Sequence, residues 1–206
     1  MGLLIDLHVH TRRHSTCSHI NPKDLIRQAV RAGLDGLVIT EHHYQWPQDE
    51  IDALTTAASD PGFLVLAGFE YASQQGDVLI YGLEPGQARD MLPGLPPQQA
   101  VKHAHDLGGV CIAAHPTRAG MGFDERIFTL GIDGIEIQSV NLKPHEQRLA
   151  AQLASNADLR PVTSSDAHQL SDVGKYATRF DDPIRSMQDL VKSIRCGRFR
   201  PATYKA

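Results

Sequence analysis

The chain has 206 residues and 41% hydrophobic content, enough for one domain with a sizeable core and too apolar for a disordered polymer. Lys and Arg number 20 against 24 Asp and Glu, and the formal charge of −4 excludes a strongly basic protein that coats nucleic acid by bulk electrostatics. No apolar run approaches the ~18 residues of a membrane span, and three separated cysteines (Cys17, Cys111, Cys196) argue against a disulfide framework, so a cytoplasmic protein is expected.

Leu3 to Val9 reads as a strand. Asp6 and His8 interrupt it, so the start is not a signal peptide, and Asp6 stands where a myristoylation motif needs Ser or Thr. Asn21 and Pro22 supply a cap and a first helical residue for a helix with Leu25, Ile26, Ala29 and Val30 on one face, ended by Gly33. Gly36 to Thr40 is the next strand and Gln48 to Ala58 the next helix. Phe63 to Phe69 is a strand, hairpin-linked through Gln75 and Gly76 to another over Asp77 to Leu83. Four Pro and two Gly make Pro85 to Pro97 mostly loop. A helix over Gln98 to Leu107, strands at Val110 to Ala114 and Gly134 to Gln138, a helix over Pro144 to Asn156 and a short strand from Pro161 to Ser164 follow. Ser186 caps a last helix that Gly197 closes. Alternating strands and helices imply parallel βαβ units, for which a small (β/α) barrel is the first expectation and an open doubly wound sheet the second. No Gly-x-Gly-x-x-Gly follows the first strand, so a dinucleotide fold has no support.

The eleven histidines are the compositional anomaly, and their positions are more informative than their number. Barrel enzymes place reactive groups at the C-terminal ends of strands. Here five strands end in ligand-type residues: His8 and His10; Glu41 and His42; Glu70; His115; Asp166 and His168. His8 and His10 are two apart, so a strand turns both to one face. Imidazoles mixed with carboxylates suit Zn, Mn or Fe better than Ca or Mg. His103, His105 and His145 read as helix-surface residues, and His43 points away from its neighbour.

These motifs resemble the PHP (polymerase and histidinol phosphatase) family of metal-dependent phosphoesterases. Asp6, His8, His10 and Thr11 match its first motif, Thr40 to His42 its second, Gly68 to Glu70 its glutamate motif, Ala113 to Pro116 its third histidine motif and Ser165 to His168 its last. The resemblance implies a single α/β domain over residues 1–206, a distorted (β/α)7 TIM-like barrel with residues 169–206 as its C-terminal tail. It also implies two or three divalent ions (Zn, Mn or Fe). His8, His10, Glu70 and Asp166 would hold one, Glu70 would bridge to a second with His115, and His42 and His168 would hold a third. Two positions depart from the family pattern. Asp77 stands where many members have His and can still ligate, and Cys17 lies nearest the residue that completes the third site, with His14 and His19 in competition. The implied reaction is hydrolysis of a small phosphomonoester, nucleotide or short oligonucleotide by a metal-activated hydroxide, with Asp166 and His168 as possible proton carriers. Arg118, and Arg12 or Arg13, are candidates to grip a phosphate oxygen. A small phosphorylated substrate is expected, with neither membrane nor long nucleic acid as partner. The alternatives are an amidohydrolase-like C–N hydrolase and a metal-binding module without turnover.

Overall fold

The computed structural model describes residues 2–58 and 62–202; Met1 and residues 203–206 of the expected tail lie outside them. In chain order the elements are β1 (Leu3–Val9), α1 (Pro22–Arg31), β2 (Gly36–His42), α2 (Gln48–Ala58), β3 (Leu64–Ala72), β4 (Asp77–Tyr81), α3 (Pro85–Asp90), α4 (Pro97–Asp106), β5 (Val110–Ala114), β6 (Gly134–Gln138), α5 (Pro144–Asn156), β7 (Pro161–Thr163), β8 (Thr178–Phe180), α6 (Met187–Cys196) and β9 (Phe199–Pro201). The strands form one sheet in the order β7-β6-β5-β4-β3-β2-β1-β8-β9, curled into a nearly closed barrel. β1–β2–β3 and β5–β6–β7 are parallel, whereas β4 runs antiparallel between β3 and β5, the hairpin expected at Gly76. No helix among the described residues is long and apolar enough to cross a membrane.

Local chemistry sets most boundaries. The Asn21 side chain accepts from Lys23 N at 3.1 Å ahead of Pro22, and Ser186 accepts from Asp189 N at 3.2 Å. Gly197 ends α6 at φ +63°, where a side chain would also strike Arg160. The structure corrects one expectation. Pro85–Asp90 is helical, because Pro85 presets the first turn and Gln87 Oε1 accepts from Glu84 N at 2.8 Å. Six residues are too few for periodicity to reveal.

The core has three parts. α1 and α2 pack one outer layer against β1 and β2 through Leu25, Ile26, Ile51 and Leu54. α4, α5 and the 3-10 turn at Glu125–Thr129 pack a second against β3 to β6. The third is the barrel interior, where Ile5, Val38, Leu79, Ile112 and Val162 meet Leu190 and Ile194 of α6. α6 therefore plugs the barrel. Residues 169–202, expected as a tail, supply this plug and the strands β8 and β9.

β1 carries the irregularity that makes the site. Leu7 packs in the interior and Val9 in the outer layer, although residues two apart on a regular strand share a face. A register shift between Asp6 and Val9 is the cause. The backbone groups it frees are satisfied by side chains: Tyr81 Oη donates to Leu7 O at 2.8 Å, and Thr40 Oγ1 accepts from Val9 N at 3.1 Å. Tyr81 reaches across because Gly68 leaves room; a Cβ there would lie 2.5 Å from its ring. Beyond β7 the chain pairs again with β1 through Val9 and Ala167, and His10 N donates to Ala167 O at 3.1 Å. Asp6 pins this closure, accepting from Ser165 N at 2.9 Å. The last motif is thereby laid against the first.

Candidate metal centre

Each strand delivers its polar residue to the barrel mouth by a local device. The bulge turns His8 and His10 inward together. β3 alternates, with Phe69 and Tyr71 in the outer layer and Glu70 facing in. His115 and Asp166 leave their strands at φ +26° and +51°. Positive φ is uncommon for residues other than glycine, and at a site it reflects a backbone held by its surroundings. Here His115 N donates to Glu136 Oε2 and the Asn141 side chain donates to Asp166 Oδ2, each at 2.8 Å.

Glu70 is the centre of the arrangement. Its Oε2 lies 3.5 Å from His8 Nε2, 3.2 Å from His10 Nε2 and 3.0 Å from His42 Nδ1, and its Oε1 lies 2.9 Å from His115 Nε2. Asp166 Oδ1 lies 3.3 Å and 3.5 Å from His8 and His10 Nε2, which are themselves 3.0 Å apart. Three groups have ligand atoms within 4.8 Å of one another: His8, His10 and Asp166; His10, His42 and His168, which shares His10 with the first; and Glu70, Asp77 and His115.

Burial would raise Glu70, but the facing imidazoles, His8 first, hold it well below the usual carboxylate range. Asp166 is lowered by the same contest between burial and His8. His8 and His10 are raised against burial by these carboxylates, and His115 is raised to about 9 against burial, chiefly by Glu70. Asp77 goes the other way, to about 6, pushed up by burial and then by Glu70.

This donor set fits a metal cluster. Imidazole nitrogens converge with two buried carboxylates, and no Lys or Arg pairs with either carboxylate among the described residues. A metal takes unprotonated imidazole, so uptake must displace the protons that raised pKa values favour. Apparent affinity for Zn or Mn, measured by chelator competition, should therefore rise with pH, by up to about tenfold per unit for each proton displaced, with the His115 contribution lost above about 9. A pH-independent affinity would show that no such proton is displaced.

The other expected residues divide. Arg118 and Cys17 line the mouth, a cavity of about 270 Å³, although Cys17 belongs to none of the three groups. His14 is engaged elsewhere, its ring 3.9 Å from that of Tyr44, and His19 is exposed. Arg12 lines a different cavity. His105, expected to be solvated, is 2.8 Å from Asp133 Oδ2, which also accepts from Cys111 N and so ties α4 to β5.

Sequence reasoning missed Glu136 and set Glu41 among the strand-end ligand types, whereas both carboxylates are buried behind the ligands. Glu136 Oε1 lies 3.2 Å from His8 Nδ1 and accepts from Ser164, which places the His8 proton on Nδ1 and turns Nε2 to the site. Glu41 takes Ser15 Oγ at 2.6 Å, and Ser15 stands 3.3 Å from His10 Nδ1. The available signal was a Glu between two apolar residues, Ile135 and Ile137, on a strand expected to be buried.

Residues 6–158 match the family model described as PHP domain, and residues 144–199 match a second described as PHP-associated. The chain belongs to the PHP family. Solved structures of similar fold include a two-domain protein from Bacteroides vulgatus, described as containing a predicted PHP-like metal-dependent phosphoesterase (TM-score 0.74, 19% identity, 98% of this chain and 65% of that one). A second is the lesion-specific endonuclease Q of Pyrococcus furiosus (TM-score 0.73, 16% identity, 98% and 58%). A third is an amidohydrolase from Chromobacterium violaceum (TM-score 0.61, 18% identity, 96% and 97%). At these identities the likeness is one of fold. The PHP frame carries all five histidine and carboxylate motifs at one end of the barrel.

Proposed function

We propose that this PHP-family chain is a metal-dependent phosphoesterase whose ions are held by His8, His10, His42, Glu70, Asp77, His115, Asp166 and His168. The observation that carries the reading is Glu70, a buried carboxylate within 3.5 Å of four imidazoles at the barrel mouth. Bound ions of this kind polarise a phosphoryl group and lower the pKa of water. The remaining work falls to the chain. Arg118, on the mouth, grips a non-bridging phosphate oxygen. Asn141 holds Asp166 in place, and Asp166 and His168 are the proposed proton carriers. Burial and the neighbouring His10 lower His168, which favours its neutral form near pH 7, the form a metal ion takes. The ions are Zn, Mn or Fe, two or three in number, by the mixed nitrogen and carboxylate donors.

Among substrates, a phosphomonoester, a nucleotide and a short oligonucleotide are each compatible with the open mouth, and the endonuclease neighbour adds damaged DNA to the set to be tried. The amidohydrolase neighbour keeps C–N hydrolysis as the second reading. The test is one panel after loading with Zn, Mn or Fe(II): p-nitrophenyl phosphate, mononucleotides, a short oligonucleotide, an abasic duplex and cyclic amides. Phosphate-ester cleavage that is lost on chelation and restored by metal is the expected result. Turnover of the amides alone would replace the reading with the second, and metal loading without any turnover would leave a binding module.

A further inference from the structure

A second cavity, of about 610 Å³, lies beside the mouth, between the loop after β1 and helix α2. Its volume is that of a small-molecule site. Trp46, Leu54 and Ala57 form an apolar wall, with Arg12, Arg13 and Lys23 around it. The one carboxylate there, Glu50, is spoken for: Arg13 Nη2 lies 2.8 Å from it, and the Arg13 guanidinium sits 5.2 Å over the Trp46 ring. Arg12 and Lys23 have no carboxylate partner among the described residues. The cavity thus offers two uncompensated cations over an apolar surface, the complement of an organic anion with a flat apolar part.

It is also held rigidly to the metal centre. Trp46 Nε1 donates to Glu41 Oε1 at 3.1 Å, and Thr11, between His10 and Arg12, donates to the same carboxylate through N at 3.1 Å and through its hydroxyl. Glu41 in turn holds Ser15 beside His10. One buried carboxylate therefore fixes the cavity wall, the base of its Arg12 rim and a candidate ligand, so the two cavities keep a constant offset.

We infer that this cavity is a subsite for a nucleotide-sized organic phosphate, with its phosphate between Arg12 and Lys23 and its ring against Ala53, Leu54 and Ala57, beside the Arg13-capped Trp46. The phosphate-ester reading is needed only for the kinetic half of the test.

Trp46 is the sole tryptophan of the chain and reports occupancy directly. The whole protein, with EDTA and separately with Mn, is titrated with AMP while tryptophan fluorescence is followed. A saturable change is expected in both. It should weaken about tenfold in Lys23→Ala and in Arg12→Ala, recover in Lys23→Arg, and weaken with added salt as an exposed charge contact does. In turnover, the ratio of kcat/KM for a 5′-phosphorylated dinucleotide to that for p-nitrophenyl phosphate should fall about tenfold in Lys23→Ala, through KM. No saturable change up to about 10 mM AMP, or one undiminished in both alanine variants, overturns the subsite. If no ester is hydrolysed, the phosphate-ester reading fails and the fluorescence titration still decides the subsite.

Discussion

Glu70→Gln is expected to lower phosphate-ester hydrolysis about a thousandfold, equivalent to about 4 kcal/mol in the barrier, and to remove about one bound ion per chain. The amide keeps the shape of the side chain and loses its charge and one acceptor oxygen. Four imidazoles converge on that carboxylate, and two of the three ligand groups meet at it: Glu70 belongs with Asp77 and His115, and its Oε2 also faces His8 and His10. The deficit should therefore appear in kcat as well as in metal content. Metal analysis after dialysis, with activity measured at saturating Mn, separates the two. Full turnover once metal is in excess would mean that Glu70 only raises affinity. Full metal content with unchanged turnover would remove Glu70 from the centre.

Glu136→Gln tests support from behind the ligands. Glu136 belongs to none of the three ligand groups, yet its oxygens hold the His8 ring by Nδ1 and the His115 backbone by its N–H, both buried. Such outer partners typically govern 10- to 100-fold in metal affinity or activity. The glutamine variant should fall by about that much, with an intact fold. Alanine should in addition lower unfolding stability by about 1–3 kcal/mol, because His8, Ser164 and His115 N lose a buried acceptor. Rescue of the glutamine variant by raised metal concentration, read as a shift in half-saturating Mn, marks positioning of a ligand. A purely structural role would lower thermal stability and leave the metal requirement unmoved.

Much of this architecture was legible in the chain. Caps at Asn21 and Ser186 and the stops at Gly33 and Gly197 bounded α1 and α6, and apolar runs bounded β1 and β5. These are short-range effects, decided within a turn of helix or one strand. The same holds for the two-residue spacing of His8 and His10. The six-residue α3 and the three-residue β8 and β9 were not legible, since segments so short carry no period and are stabilised by the sheet they join. His14 and His19 show the converse. Near the first motif in sequence, they are turned away from it by packing on Tyr44 and by exposure.

By itself the sequence determined which residue types stand at the strand ends, and through them the family and the barrel. Tertiary structure decided which of them converge. The bulge in β1 that lets His8 follow Leu7 inward depends on Tyr81 and Thr40 to satisfy the backbone it frees. The pairing of Val9 with Ala167 brings Asp166 to His8, and Glu136 of β6 becomes a support only when that closure brings it to the His8 ring. These contacts join residues distant along the chain, and they are set by buried polar groups that must find partners, which no local pattern encodes.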